Sequence, residues 1–144
     1  MSTRVIIAAY HNLFLLWFYG IIRLLRVFKN TWFARYADKE GISDNELKEA
    51  VSQLEAGQAD ANLGGDVYKM RVARPGKGKS GGYRVIVLFR SKKWTFYVYG
   101  FAKSKMANIS EKDLKAYKEA AKVFFSLTVE QLEKRIKHGQ LIEL

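Results

Sequence analysis

The stretch "DVYKMRVARPGKGKSGGYRVIVLFRSKKWTFYVYGF", residues 66–101, carries the chain's strongest β signal and its sharpest ambiguity. Inside it, Ala73, four further residues and then Gly78-Lys79-Ser80 spell the relaxed phosphate-loop pattern. A working phosphate loop joins a strand to the N-terminus of a helix, whose free N–H groups hold the phosphates. Here Ser80 is followed by Gly81-Gly82 and then by "YRVIVLFR" (83–90). Two glycines and a β-branched run open a strand and not a helix. The match is a coincidence of a Gly- and Lys-rich loop that joins two strands.

Working outward, the period of two in Asp66–Ala73 puts Tyr68, Met70 and Val72 on one face and Lys69 and Arg71 on the other. Tyr83–Arg90 is nearly all apolar, which predicts a central strand covered on both faces. Lys92-Lys93 marks a turn, and Trp94–Phe101 is a third strand. Upstream, "RVFKN" (26–30) reads as a short strand, followed by a helix over about Thr31–Asp38 that Gly41 breaks. Ser43 with Glu46 forms a capping box for a second helix, whose stripe is Leu47, Ala50, Val51 and Leu54. "GQADANLGG" (57–65) is a loop by composition. Downstream, Ser110 with Asp113 opens a helix to about Leu127. Thr128 with Gln131 opens another that ends near His138, with Gly139 at its C-cap. The order predicts an α+β fold: a small antiparallel sheet of three to four strands, two helices before and two after the main strands, the helices packed to one side.

At 144 residues the chain is one domain, and with no cysteine it has neither a disulfide scaffold nor a Cys-ligated metal. Its net charge of +11 is unevenly spread. Residues 66–105 hold eleven Lys and Arg against Asp66 alone, while the segments on either side are close to balance. Such a concentrated positive field points to a polyanion, most simply RNA or DNA. These charges lie on strands and a loop, not on an amphipathic helix, which argues against a membrane surface.

Residues 1–25 differ from the rest. Val5–Ile22 is 18 residues without a charge, at the lower limit for spanning a bilayer. Three readings stand: a membrane anchor, an extra helix packed on the domain, or translated sequence upstream of the natural start, which is preferred. The domain proper then runs over 26–144.

His11 and His138 are too far apart in sequence role to suggest a catalytic pair, and the acid pairs Asp38/Glu40 and Asp44/Glu46 serve caps and solvated helix faces, so no metal site is expected. What remains is Lys69, Arg71 and Arg84 on adjacent strands, Lys103 and Lys105 just past the third, and Tyr83, Tyr97 and Tyr99 between them. That set suits metal-free RNA cleavage, in which a ribose 2′-OH attacks its own 3′-phosphate. Clustered cations stabilise the developing charge, a lysine crowded by cations becomes a better base, and tyrosine faces stack bases. Arg74, Lys77 and Lys79, on the Gly-rich arm, suit backbone phosphates.

The blocks "VFKNTWFARYADKEGISDNELKEAV", "LGGDVYKMRVARPGKGKSGGYRVIVLF" and "FYVYGFAKSKMANISEKDLKAYKEAA", in this order, resemble the RelE/ParE toxin superfamily and within it the HigB-like branch. The resemblance covers residues 26 to about 127. It implies a RelE-like sheet with helices and a ribosome-dependent mRNA endonuclease that inhibits translation. It also implies a helix-turn-helix antitoxin as partner, mRNA in the ribosomal A site as substrate, no cofactor, and a cytoplasmic location. The family's Lys-x-Lys pair falls on Lys69 and Arg71, and its arginine after the loop on Arg84. Its next arginine falls on Ser104, flanked by Lys103 and Lys105, and its late tyrosine has no counterpart in Asn108-Ile109-Ser110. The implied catalytic set is Lys69, Arg71, Arg84 and Lys103, with Arg74, Lys77, Lys79, Lys105 and Tyr99 on the RNA. The rivals are a toxin of the same fold with a gyrase-type target and a catalytically inactive RNA-binding module.

Overall fold

The computed structural model describes residues 26–74, 78–102 and 108–144, except for the side chains of residues 74 and 78–81. All three readings of residues 1–25 therefore fall outside the described residues. The chain runs β1 (Val27–Asn30), α1 (Thr31–Glu40), α2 (Asp44–Glu55), β2 (Ala61–Gly64), β3 (Val67–Arg74), β4 (Gly78–Phe89), β5 (Thr95–Ala102), α3 (Glu111–Phe125), α4 (Val129–Lys137) and β6 (Leu141–Glu143). Each helix begins where its sequence says it should. Ser43 with Glu46 and Thr128 with Gln131 close full capping boxes, and the Ser110 hydroxyl accepts from the Asp113 N–H. The C-cap of α4 is His138, one residue before the expected Gly139.

The sheet departs from expectation. The α+β class holds, but six strands lie in the order β2-β3-β4-β5-β1-β6, and β1 runs parallel to β5, so the sheet is mixed and not a purely antiparallel one of three to four strands. Two of the extra strands come from segments with no strand signature. "ANLG" pairs with β3 through a two-residue turn at Gly65-Asp66, where both residues have positive φ (60° and 64°). This is the geometry that matches strand twist in a tight hairpin. The three-residue β6 exists only by pairing with β1.

The helices also do not share one side. α1 and α2 cover one face, with a core of Phe33, Ala37, Leu47, Val51, Met70, Val85 and Tyr97 among others. α3 and α4 cover the other, with Phe28, Ile86, Leu88, Phe96, Phe125 and Leu132. Every residue of β4 from Tyr83 to Phe89 is buried, as the apolar run predicted. A strand apolar on both faces requires cover on both, which is the reason one-sided packing fails. Arg26 ties the β6 edge together: its guanidinium grips Glu143 at 2.7 and 2.8 Å and Glu133 on α4 at 2.6 Å, and these bonds raise its pKa further above the ordinary arginine value against the opposing effect of burial. Among the described residues no helix is long and apolar enough to cross a membrane.

Candidate nucleic-acid interface

β3 and β4 bring the predicted cations together. Arg71 lies directly opposite Arg84, and Lys69 directly opposite Ile86, in antiparallel register. Opposed residues on such a pair stand about 5 Å apart at Cβ, with diagonal neighbours at about 7–8 Å. Lys69, Arg71 and Arg84 all point to the α3 face, because they alternate with Met70, Val72, Tyr83 and Val85, which are buried under α1 and α2. Lower on this face α3 seals the sheet over Val67, Leu88 and Phe96. Arg71 stays exposed, with half its side-chain surface open, and touches Asp60 at 3.5 Å. Arg84 is only 6% exposed. Like charges directly opposite in a sheet are destabilising, and Asp60 offsets part of that cost at Arg71.

β5 completes the site. Strict alternation would put Tyr97 and Tyr99 on the same face, and the structure separates them. The β4–β5 register shifts after Ile86: Ile86 pairs with Tyr99 but Val87 with Tyr97, so Val98 is an extra residue in β5. This bulge re-aims the strand. Phe96, Val98, Tyr99 and Phe101 reach the α3 face, while Tyr97 and Gly100 face α1 and α2. Asn30, the N-cap of α1, holds the bulge: its Oδ1 accepts from the Phe33 N–H at 2.7 Å and its Nδ2 donates to the Val98 carbonyl at 3.1 Å.

Of the three tyrosines expected among the cations, only Tyr99 lies on the cationic face. Tyr97 is fully buried, donates to the Leu47 carbonyl at 2.6 Å, and has its pKa pushed well up by burial. Tyr83 donates to the Glu40 carboxylate at 3.0 Å beneath α1. Tyr99 instead stacks on Trp32 of α1 (centroids 4.6 Å, interplanar angle 20°), and Trp32 stacks on Tyr36 at 5.2 Å. Gly100 permits this approach, since a Cβ there would run into the Tyr36 ring. Trp32 remains 44% exposed, the largest apolar side chain so placed among the described residues. Tyr117 of α3 sits on the other side of Tyr99 at 6.2 Å, its pKa pushed up to about 12 by burial and then by Asp113 and Tyr99. Trp32, Phe101 and Tyr117 were not among the predicted site residues. No local pattern marks them, because they meet through α1, β5 and α3 at once.

The side chains of Arg74 and Lys79, and all of Lys77, Lys103 and Lys105, lie outside the described residues. The backbone at Gly78-Lys79-Ser80 is strand, paired with Arg74 at Gly78, with no helix following; β4 thus starts inside the segment read as loop. Among the described residues no group of three His, Cys, Asp or Glu is placed to hold a metal ion.

The chain's sequence matches a known family. The family model described as "RelE toxin of RelE / RelB toxin-antitoxin system" covers residues 25–144 of the chain. The chain belongs to the RelE toxin family. It is therefore a toxin-family member of a toxin–antitoxin system, and RelE-family toxins pair with an antitoxin. On this face the register brings Lys69, Arg71 and Arg84 together beside Tyr99, with Arg71 exposed and Arg84 buried.

Proposed function

We propose that this RelE-family chain is a ribosome-dependent mRNA endonuclease of the HigB-like branch, working without a metal through its Lys/Arg cluster and inhibiting translation in the cytoplasm. The observation that carries the reading is the directly opposed Arg71–Arg84 pair, with Lys69 diagonal to Arg84, on one face of the sheet. A phosphodiester seated there meets the exposed Arg71 fork, with the buried Arg84 guanidinium behind it adding positive charge, an arrangement that stabilises a pentacoordinate phosphorane. Lys69 takes the proton from the ribose 2′-OH as the 2′-oxygen bonds to phosphorus. The bond to the 5′-oxygen breaks, leaving a 2′,3′-cyclic phosphate and a 5′-hydroxyl, the latter protonated by Lys103. Arginine is too basic to serve as the base, so Arg71 and Arg84 are assigned to charge and Lys69 and Lys103 to protons. Tyr99, braced by Trp32, supports a base next to the scissile phosphate. Arg74, Lys77, Lys79 and Lys105 bind flanking phosphates. The toxin domain is residues 26–144, the partner a helix-turn-helix antitoxin, and the substrate mRNA in the ribosomal A site.

The test is to induce the chain in cells and map mRNA 5′ ends. New ends at fixed codon positions within translated frames are expected, and their loss in Arg71→Gln/Arg84→Gln, with the melting temperature retained, ties them to the cluster. Growth arrest with intact mRNA would refute the nuclease reading in favour of a gyrase-type target. The departures at Ser104 and Asn108 favour one rival, an inactive RNA-binding module, for which neither cuts nor arrest are expected.

A further inference from the structure

The near balance of charge after residue 106 conceals a second basic site. Gln131, Lys134 and Arg135 of α4, its C-cap His138, and the flanking Leu127 and Gln140 line a groove of about 310 Å3. Every polar group offered there by Lys134, Arg135 and the two carboxamides includes N–H donors, and no lining residue is acidic. The Arg135 guanidinium lies 5.5 Å over the Phe124 ring, which steadies the fork without using its donors. The Gln131 Oε1 accepts from the Thr128 N–H at 2.9 Å, so its amide NH2 remains as donor. Of the two carboxylates on α4, Glu133 is held by Arg26 at 2.6 Å, and among the described residues neither Glu130 nor any other carboxylate forms an ion pair with Lys134 or Arg135. Cations in the last turn of a helix offset its negative end. That accounts for basic residues here, but not for their gathering around a concavity with one laid on an aromatic ring.

α4 packs on the same face of the sheet as Lys69, Arg71 and Arg84, beside β6. β3 and β6 are four strand spacings apart, or about 19 Å at ~4.8 Å each. We infer that the α4 groove is a second RNA phosphodiester site, gripping the backbone of the RNA at a point remote from the Lys69–Arg71–Arg84 cluster. The inference rests on the nuclease reading for its choice of RNA as the anion.

The experiment is anisotropy binding of a fluorescein-labelled single-stranded RNA by the full chain across a series of salt concentrations. Lys134→Gln/Arg135→Gln is compared with Arg71→Gln/Arg84→Gln, each with its melting temperature checked. Loss of two phosphate contacts is expected to lower the slope of log K against log salt by about 1.4, at ~0.7 per single-strand phosphate. The combined variant should lose the sum of both reductions. An unchanged slope in the α4 variant would overturn the inference while leaving the nuclease reading intact, provided the cluster variant still loses its cuts. The converse, a lower slope in the α4 variant with cuts unaffected by the cluster variant, would sink the nuclease reading and keep the groove. Shifts of the Arg135 and His138 resonances on titration with inorganic phosphate, without any change in RNA slope, would mark a free-anion site and also overturn it.

Discussion

Asn30 performs two jobs with one carboxamide, and a short substitution series separates them. Its Oδ1 caps α1 and its Nδ2 donates to the carbonyl of the bulge residue Val98. An N-cap side chain contributes about 1 kcal/mol, and a part-buried neutral hydrogen bond about 0.5–1.5 kcal/mol. Asn30→Ala removes both and is expected to cost about 2 kcal/mol. Asn30→Ser keeps a capping oxygen but is too short to reach Val98, so it should cost about 1 kcal/mol. Asn30→Asp is the decisive variant. As a cap alone it would be neutral or better, because a carboxylate suits a helix N-terminus. Here it turns an oxygen toward the Val98 carbonyl 3.1 Å away, so it should be at least as destabilising as serine. For a domain of this size about 1 kcal/mol moves the melting temperature by roughly 3–6 °C, well within reach of thermal melts followed by circular dichroism. An Asp variant more stable than the native protein, or a Ser variant indistinguishable from it, would refute the assignment of a bulge-holding bond. Either result would mean that Tyr99 reaches the cationic face without Asn30's help.

Three further outcomes are expected. Gly100→Ala drives a methyl into the Tyr36 ring and should cost about 1–3 kcal/mol by overpacking; most of that loss should disappear in a Tyr36→Ala background, read as a double-mutant cycle on melting temperature. Arg26→Met strands Glu143 and Glu133 around a mostly buried position and should cost about 1–2 kcal/mol, between exposed and buried pairs, with the deficit shrinking in high salt. Tyr117 keeps its proton up to about 12 when folded, whereas an unfolded tyrosine releases it near 10. Its contribution is thus complete below the unfolded value and is lost as pH rises toward the folded one. Denaturant melts across that window should show a shallower alkaline loss for Tyr117→Phe than for the native chain; an equal slope would contradict it.

The local rules succeeded wherever the deciding neighbours lie within a few residues. The capping boxes at Ser43 and Thr128 formed as read, because each is closed by a residue three positions on. Lys69 and Arg71 share a face opposite Met70 and Val72 because a regular strand allows no other outcome. The concentration of cations in 66–105 was visible by counting. Their direct opposition across β3 and β4 needed the register, which the hairpin sets.

What the sequence could not disclose was decided by partners far along the chain. β6 is three residues long and is held by β1, more than a hundred residues away. β1 in turn lies parallel to β5, a pairing that no turn signal announces because parallel neighbours are joined by long crossovers. The faces of Tyr97 and Tyr99 were separated by one extra residue at Val98, whose carbonyl is satisfied by Asn30 at the end of the neighbouring strand β1. The α4 groove gathers cations that a segment count cancels against six carboxylates, although Arg26 has already taken Glu133 and Glu143. Periodicity and capping are short-range and are written in the sequence. Strand order, the bulge, and which charges remain unpaired are settled only when distant segments compete for the same backbone groups and carboxylates.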